Sequence, residues 1–524
     1  MQGIKSLYVQ ENALRQGILD RARFCASLTK PHILPPDGHD SNDKLPEPYS
    51  SLAARGITNL EGRLLMALYP PGRPFFSLRP ASSLLYSPDT DPDTIQQIES
   101  ILSLHEHMIM AQLEKKPQQL GNMRRTGFRS TKRAALSQLL VTGDVLEQIT
   151  DDYQIKLFRR DQYVTKRDSS GSIMHHIVRE RIDPLTLDPE RLFEAGLDMG
   201  ELMQIHCVER MMDLYTRCAW QPMSNTWLIT QELNENTIHQ EETEISPFLC
   251  TAFELAPGEH YGRGMVELNL GDIRSMNELT MAILDFSATA SKQLFAVDYN
   301  SQVRAEDLAK PTGSVIQARV QSGAVLDVAM VQAGKVADFQ VTAQTRENVR
   351  RDLASVMLME GEATPTGERV TAFQVRRVAQ ELEGALGGIF APIADAQQQP
   401  LVERVRFMME RDQLLPKLPK DSIEVETLTG VAALASENDS SKILQILQVL
   451  GQLGPEAMSR VNMDVLIDTL MRQQGIHEPG LVKTPEQIAE EQQAAQQAAV
   501  QQQAAQQMIQ SGGRIIEEQA IAEE

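Results

Sequence analysis

Ile273, Met276, Leu279, Ile283, Phe286, Ala290 and Leu294 recur every three or four residues, a spacing that puts all seven on one face of a helix. The seam predicts a helix from about Met265 to Leu294, about 45 Å long at 1.5 Å per residue. Such a stripe packs one helix along another. A partner follows: Val349, Leu353, Val356 and Met357 give an apolar face to a shorter helix from about Thr345 to Met359. Between the two lies a compact insertion, residues 295–344. There Ile316, Ala318 and Val320 alternate with Gln317, Arg319 and Gln321. A Ser322-Gly323 turn then leads into AVLDVAMV, the pattern of a small strand pair. By itself the seam makes an ordinary core helix of a globular enzyme the default reading.

Upstream the chain reads as a mixed body through about residue 264. Residues 1–30 predict a helix with Leu14, Ile18, Ala22 and Cys25 near one face, followed by a Pro-rich loop. Leu52, Ile57, Leu60, Leu64 and Leu68 restore helical spacing until Pro70-Pro71-Gly72 ends it. Phe75 and Phe76 then read as core anchors. Ile95, Ile98, Ile101, Leu102 and Met108 predict a helix over 92–116. Short alternating runs from Gln154 to Arg179 predict a hairpin around Ser170-Gly171, and a second strand-rich patch runs from Trp220 to Phe253.

Downstream, Gly361, Pro365 and Gly367 mark a loop before TGERVTAFQVRRVAQELEGALGGIF, Thr366 to Phe390. Thr371 reads as an N-cap with Gln374 as its capping-box partner. Val375, Val378, Leu382, Leu386, Ile389 and Phe390 line one helical face. Gly384, Gly387 and Gly388 suggest close approach of a neighbouring backbone, with a kink or stop near Pro392 and again near Pro400. Past Pro416 and Pro419 a helical region is expected to about Gln474, through Ile443, Leu447, Leu450, Met463 and Leu470. From Ala489 to Gln510 the sequence is nearly all Ala and Gln, either a disordered tail or a helix that bundles with its own copies.

Four stretches in this order resemble the portal proteins, or head-to-tail connectors, of short-tailed bacteriophages (podoviruses). They are ARGITNLEGRLLMALYPPGRPFF (Ala54 to Phe76), LLVTGDVL (Leu139 to Leu146), YGRGMVELNLGDIRSMNELTMAILDFSATASK (Tyr261 to Lys292) and the Thr366 to Phe390 segment. The resemblance implies an α+β, predominantly α subunit. Its parts would be a wing (1–264), a stem helix (265–294), a small α/β clip (295–344), a second stem helix (345–359) and a tunnel loop (360–370). A wing-crossing helix (371–422), a helical crown (423–478) and the Gln/Ala-rich tail (479–524) complete it. It further implies a homo-oligomer, a dodecamer, around a channel at one capsid vertex of the virion. Double-stranded DNA would pass inward when the terminase large subunit docks and outward once tail adaptor proteins are attached. Major capsid and scaffolding proteins are the other implied partners, and synthesis in the host cytoplasm is expected.

The residues carry little chemistry of another kind. Gly334-Lys335 has no glycine five residues before it and no Ser or Thr after it, so no NTPase P-loop is present. HEHM at His105 to Met108 lacks the spacing of a zinc protease, and no GxSxG elbow occurs. Cys25, Cys207, Cys218 and Cys250 form no CxxC pair and read as free, largely buried thiols. His175 and His176 are adjacent, so on a strand they face opposite ways and cannot share a metal. No catalytic residue, metal site or cofactor is expected, and no membrane-spanning segment. The alternative is a soluble α-rich nucleic-acid-processing enzyme such as a nuclease, for which the acidic composition alone speaks.

A net charge of −21 argues against a tight duplex binder, which needs a basic face. It suits a wall past which DNA slides, because a like-charged surface gives few electrostatic traps. Arg124, Arg125, Arg129, Lys132 and Arg133 are expected in salt bridges, with phosphate contact as the lesser reading. Arg369 is the residue singled out: repeated around a ring it would make a band of guanidinium groups able to touch phosphate. Pairing with Glu368 or Glu362 of a neighbouring subunit is weighed equally. Glu362, Thr364, Thr366 and Glu368 are weaker candidates for lining the same loop.

Overall fold

The computed structural model describes residues 3–427 except 41, 72–73, 82–91, 116–126, 291–293, 300, 302, 305, 307–309, 312–313, 316, 322–323, 332–335, 360–376, 379, 383, 385–387, 389 and 418–422. The chain divides by its internal contacts between Ala433 and Leu434, and every described residue belongs to the first unit.

The described fold is mixed α/β. It opens with α1 (Ile4–Leu14), α2 (Gln16–Ser27) and α3 (Leu52–Leu68), then β1 (Phe76–Pro80), α4 (Pro92–Glu114) and α5 (Phe128–Thr142). Next come β2 (Asp144–Ile149), β3 (Ile155–Phe158), β4 (Tyr163–Arg167) and β5 (Ile173–Ile182), two short helices α6 (Pro189–Glu194) and α7 (Met199–Gln204), and β6 (Met212–Gln221), β7 (Thr226–Leu233), β8 (Asn236–Thr243) and β9 (Phe248–Ala252). The long seam forms α8 (Met265–Leu268) and α9 (Leu270–Ala290). A knob of β10 (Leu294–Val297), β11 (Val320–Gln321), β12 (Ala324–Val325) and β13 (Val328–Val331) precedes α10 (Val336–Val356), α11 (Phe390–Arg411) and β14 (Ile423–Thr427). β4 to β8 pair in chain order as an antiparallel meander, and β3-β2-β9 makes a second sheet.

α3 is the centre of the main core. Ile57, Leu60, Leu64 and Leu68 are fully out of water, as their spacing predicts. Each such side chain contributes about 1.5–3 kcal/mol of burial. They join Leu136 and Leu139 of α5, Leu401 and Val405 of α11, Val378, Leu382, and the anchoring Phe75 and Phe76 in one cluster. The C-terminal carbonyl of Leu68, an orphan of the helix end, accepts a hydrogen bond from Gln398 Nε2 at 2.5 Å.

Several expectations need correction. The first thirty residues are not one helix, because Arg15 breaks the run. Its guanidinium turns inward, donating to the carbonyls of Arg160 at 2.7 Å and Asp161 at 3.2 Å, and Leu14 is left 85% exposed. The long seam helix is interrupted at Asn269 and ends at Ala290, since Leu294 pairs with Val331 in the knob. Its partner starts at Val336 rather than Thr345, taking residues 336–344 from the insertion. The region starting at 423, expected to be helical, begins as β14. That strand pairs antiparallel with β1, from Phe76↔Thr427 to Pro80↔Ile423.

Pro392 stops nothing: it sits in the first turn of α11, where no intrahelical N–H is needed. α11 also continues through Pro400. The break lies before it, at Gly388, whose φ of +87° favours glycine. Among the described residues, none lies within 4 Å of a β-carbon built on Gly384 or Gly388. Gly387, Thr371 and Gln374, the helical residues expected from Ile443 to Leu470, and the Gln/Ala segment lie outside the described residues.

Candidate functional site: a rooted two-helix hairpin

α9 and α10 run antiparallel and pack on each other. Burial falls along both from one end. Ile273 and Met276 on α9, and Leu353 on α10 with Met357 just beyond it, are buried in the main core, and Ala354 is buried beside Leu353. Farther out, Ile283 and Phe286 are only half-buried. Phe286 stacks on Phe339 across the pair, centroids 4.8 Å apart and planes at 24°. The hairpin is therefore held by the body at its root and by its own seam beyond it. Met281, Leu284 and Val341 remain exposed along it.

The root is tight, and three of the four portal-like stretches supply it. Gly56 of α3 faces Met357, and a β-carbon there would overlap the methionine sulfur. Two turns of chemistry fix the adjoining backbone: Asn59 Nδ2 donates to the carbonyls of Met357 at 3.1 Å and Leu358 at 2.7 Å, and Leu358 takes a positive φ of 52°. On the α9 side, Gly143 caps α5 in the left-handed region and meets Gly262 and Gly264. A β-carbon on Gly264 would lie 2.7 Å from the Leu140 carbonyl oxygen. Asp144 Oδ2 accepts from the Gly262 amide at 2.9 Å and pairs with Arg160 at 3.1 Å. Thus ARGITN, VTGD and YGRG mark a junction where helices enter with no room for side chains.

The far end is a small β knob. β10 pairs with β13 and β11 with β12, and the expected Ser322-Gly323 turn lies outside the described residues. Arg319 clamps the knob: its amide and Nε both reach the Asp327 carboxylate at 2.8 Å. The Arg319 amide holds the Asp327 carboxyl below the usual carboxylate range. The longer β10–β13 pair was not legible locally, because Leu294 reads as the last step of the helical seam.

Expected charged contacts separate clearly. Lys132 pairs with Glu147 at 2.8 Å, both fully buried, and Arg133 pairs with Glu61 at 3.0 Å. Arg129 donates to the Tyr69 carbonyl. These three serve internal contacts rather than phosphate, while Arg124 and Arg125 lie outside the described residues. His175 meets Glu11 at 2.9 Å and His176 meets Thr165 at 2.9 Å, on opposite faces as expected. Cys25 and Cys218 are buried and Cys250 half-buried, but Cys207 is exposed, contrary to expectation for that thiol. Glu362, Thr364, Thr366, Glu368 and Arg369 all lie outside the described residues. Among the described residues, no group of three or more His, Cys, Asp or Glu side chains is placed to hold a metal ion, and no helix is long and apolar enough to cross a membrane.

Against known proteins, residues 1–482 match the family described as bacteriophage head to tail connecting protein. The chain is similar to the portal protein of Escherichia phage T7, 29% identical over 93% of this chain and 89% of the relative. It is 27% identical to the portal protein of Enterobacteria phage T3 over the same shares, and 24% identical to that of Enterobacteria phage SP6 over 87% of this chain and 85% of the relative. Among solved structures, a chain from the neck of an empty GTA particle covers 75% of this chain and 86% of its own length, with 11% identity and a TM-score of 0.36.

Proposed function

The chain belongs to the bacteriophage head-to-tail connecting protein family, the portal proteins of short-tailed phages among them, and we propose that it works by closing into a ring around a DNA channel. The half-covered hairpin carries this reading. An antiparallel helix pair with its root locked in the core and Met281, Leu284 and Val341 exposed has apolar surface that an isolated subunit leaves in water. Side-by-side copies related by rotation would cover it, and a heterologous contact of that kind makes a ring when the rotation closes on itself. Twelve copies is the proposed number.

On this reading α9 and α10 form the stem and the β knob forms the clip, which meets the terminase large subunit during packaging and tail adaptor proteins afterwards. Major capsid and scaffolding proteins surround the body. The part is structural and not an enzyme: it acts by steric fit and by an acidic wall past which duplex DNA slides. Residues 360–370, one step beyond the fixed Met359, would be the tunnel loop, with Arg369 touching phosphate and Glu362, Thr364, Thr366 and Glu368 beside it. The comparisons give the nuclease alternative no support. The direct test is Met281→Asp with Leu284→Asp, both at exposed positions of α9. The doubly substituted chain should fold but fail to form rings. Rings of undiminished yield would remove the hairpin from the interface.

A further inference from the structure

The lobe formed by α6, α7 and the loop to β6 leaves large apolar side chains in water. Phe193 is 85% exposed, Met203 64% and Val208 64%, with Met199 and Ile205 also exposed. Met199 and Met203 stand four apart on α7 and share a face. Arg210 folds the following loop back on that helix: its Nη1 donates to the carbonyls of Leu202 and Ile205 at 3.3 Å, while its other nitrogens grip Asp183. The lobe's own small core of Ala195, Leu214, Leu233 and Ile238 packs with Ile182, Leu187, Leu197 and Met212 and includes none of the exposed side chains. The exposed residues are therefore not waiting for that core.

The charge of this segment is predominantly negative. Residues 183–211 hold seven carboxylates and two arginines. Both arginines are engaged, Arg210 with Asp183 and Arg191 with Gln231 at 3.4 Å. Glu190, Glu194, Glu201 and Glu209 are exposed. A flexible, Met-containing apolar centre inside an acidic rim takes an amphipathic helix whose flanks are basic, because apolar anchors fill the centre while Lys and Arg meet the rim. We propose that this lobe is a docking surface for a basic amphipathic helix of a partner protein. It is separate from the hairpin and does not depend on ring closure.

The lobe carries its own reporter. Cys207 is exposed between Ile205 and Val208, whereas the other three thiols are buried or half-buried. Burial pushes Cys25 and Cys218 up to about 12 and Cys250 to about 11, which keeps them protonated and unreactive. The full-length protein, labelled at Cys207 with a maleimide fluorophore, is titrated with a Leu/Lys amphipathic helical peptide and with its Leu/Glu counterpart. The Leu/Lys peptide should give a saturable change and the Leu/Glu peptide none. Met203→Ser with Val208→Ser should weaken binding about tenfold, and Glu194→Lys with Glu201→Lys should reverse the preference. All four positions are exposed, so an unchanged melting profile verifies the fold. Binding that ignores both pairs of substitutions would overturn the proposal. So would a Cys207 thiol that loses reactivity as the protein alone is concentrated, which would assign the lobe to contacts between copies.

Discussion

Gly56 of α3 and Met357 at the end of α10 occupy adjoining space so closely that a single added methyl on the glycine would collide with the methionine sulfur. The contact ties the central core helix to the hairpin root. Gly56→Ala should therefore destabilise the protein by about 1–3 kcal/mol, the usual cost of overpacking, although alanine is the better helix former by about 1 kcal/mol. With Met357→Ala in the background the overlap with the sulfur is gone and a tight 3.0 Å contact to the residue-357 β-carbon remains, so the same Gly56→Ala change should cost clearly less. Urea midpoints of the four proteins in this cycle measure the coupling.

A second test concerns the pair of Lys132 and Glu147, 2.8 Å apart and fully buried. Glu147→Gln leaves an ammonium without its counter-charge in the core and should cost about 3–5 kcal/mol. Replacing both, as Lys132→Met with Glu147→Leu, should cost less than the single change. The same denaturation measurement decides the order.

Acid should weaken the fold through two histidines. Burial, with the nearby Arg406 charge, lowers His105 to about 4, and burial, with Arg167 and His175, lowers His176 to about 3. Their folded values lie below the unfolded 6.5, so as pH falls the unfolded chain takes protons that the folded chain refuses. The stability they hold is complete above pH 6.5 and is lost progressively toward pH 4 to 3. Between pH 6.5 and 5 His176 should remove about 1.6 kcal/mol, with His105 acting in the same direction. His176→Gln should flatten that slope by about one proton; an unchanged slope would show that His176 does not set it.

Arg369→Ala should change DNA packaging or retention and leave ring assembly intact, if its guanidinium contacts phosphate. Particles assembled with the variant and assayed for DNA content decide this. Normal content and retention would return Arg369 to the alternative pairing with Glu362 or Glu368 of a neighbour.

Local pattern revealed what local physics controls. The face of α3 was legible because Leu52 to Leu68 step at helical spacing into one core, and the Asp168 to Gly171 turn was legible because strand alternation brackets it. The pairing of Phe76–Pro80 with Ile423–Thr427 was not, since neither strand carries a sign of a partner so far away. Leu294 was misplaced because apolar residues at the end of a helical seam look alike whether they continue the helix or begin a strand. The hairpin itself, as two helices around a strand insertion, was visible. Its root was visible only as wording: Gly56, Gly143 and Gly264 stood in the portal-like stretches, but the spatial meeting that gives them meaning is tertiary.

The central claim is that this chain closes into a ring around a hole large enough for duplex DNA. Native mass spectrometry of the purified full-length protein tests it most directly. The account predicts one dominant closed species near twelve subunits. A monomer that persists across salt and concentration would contradict it.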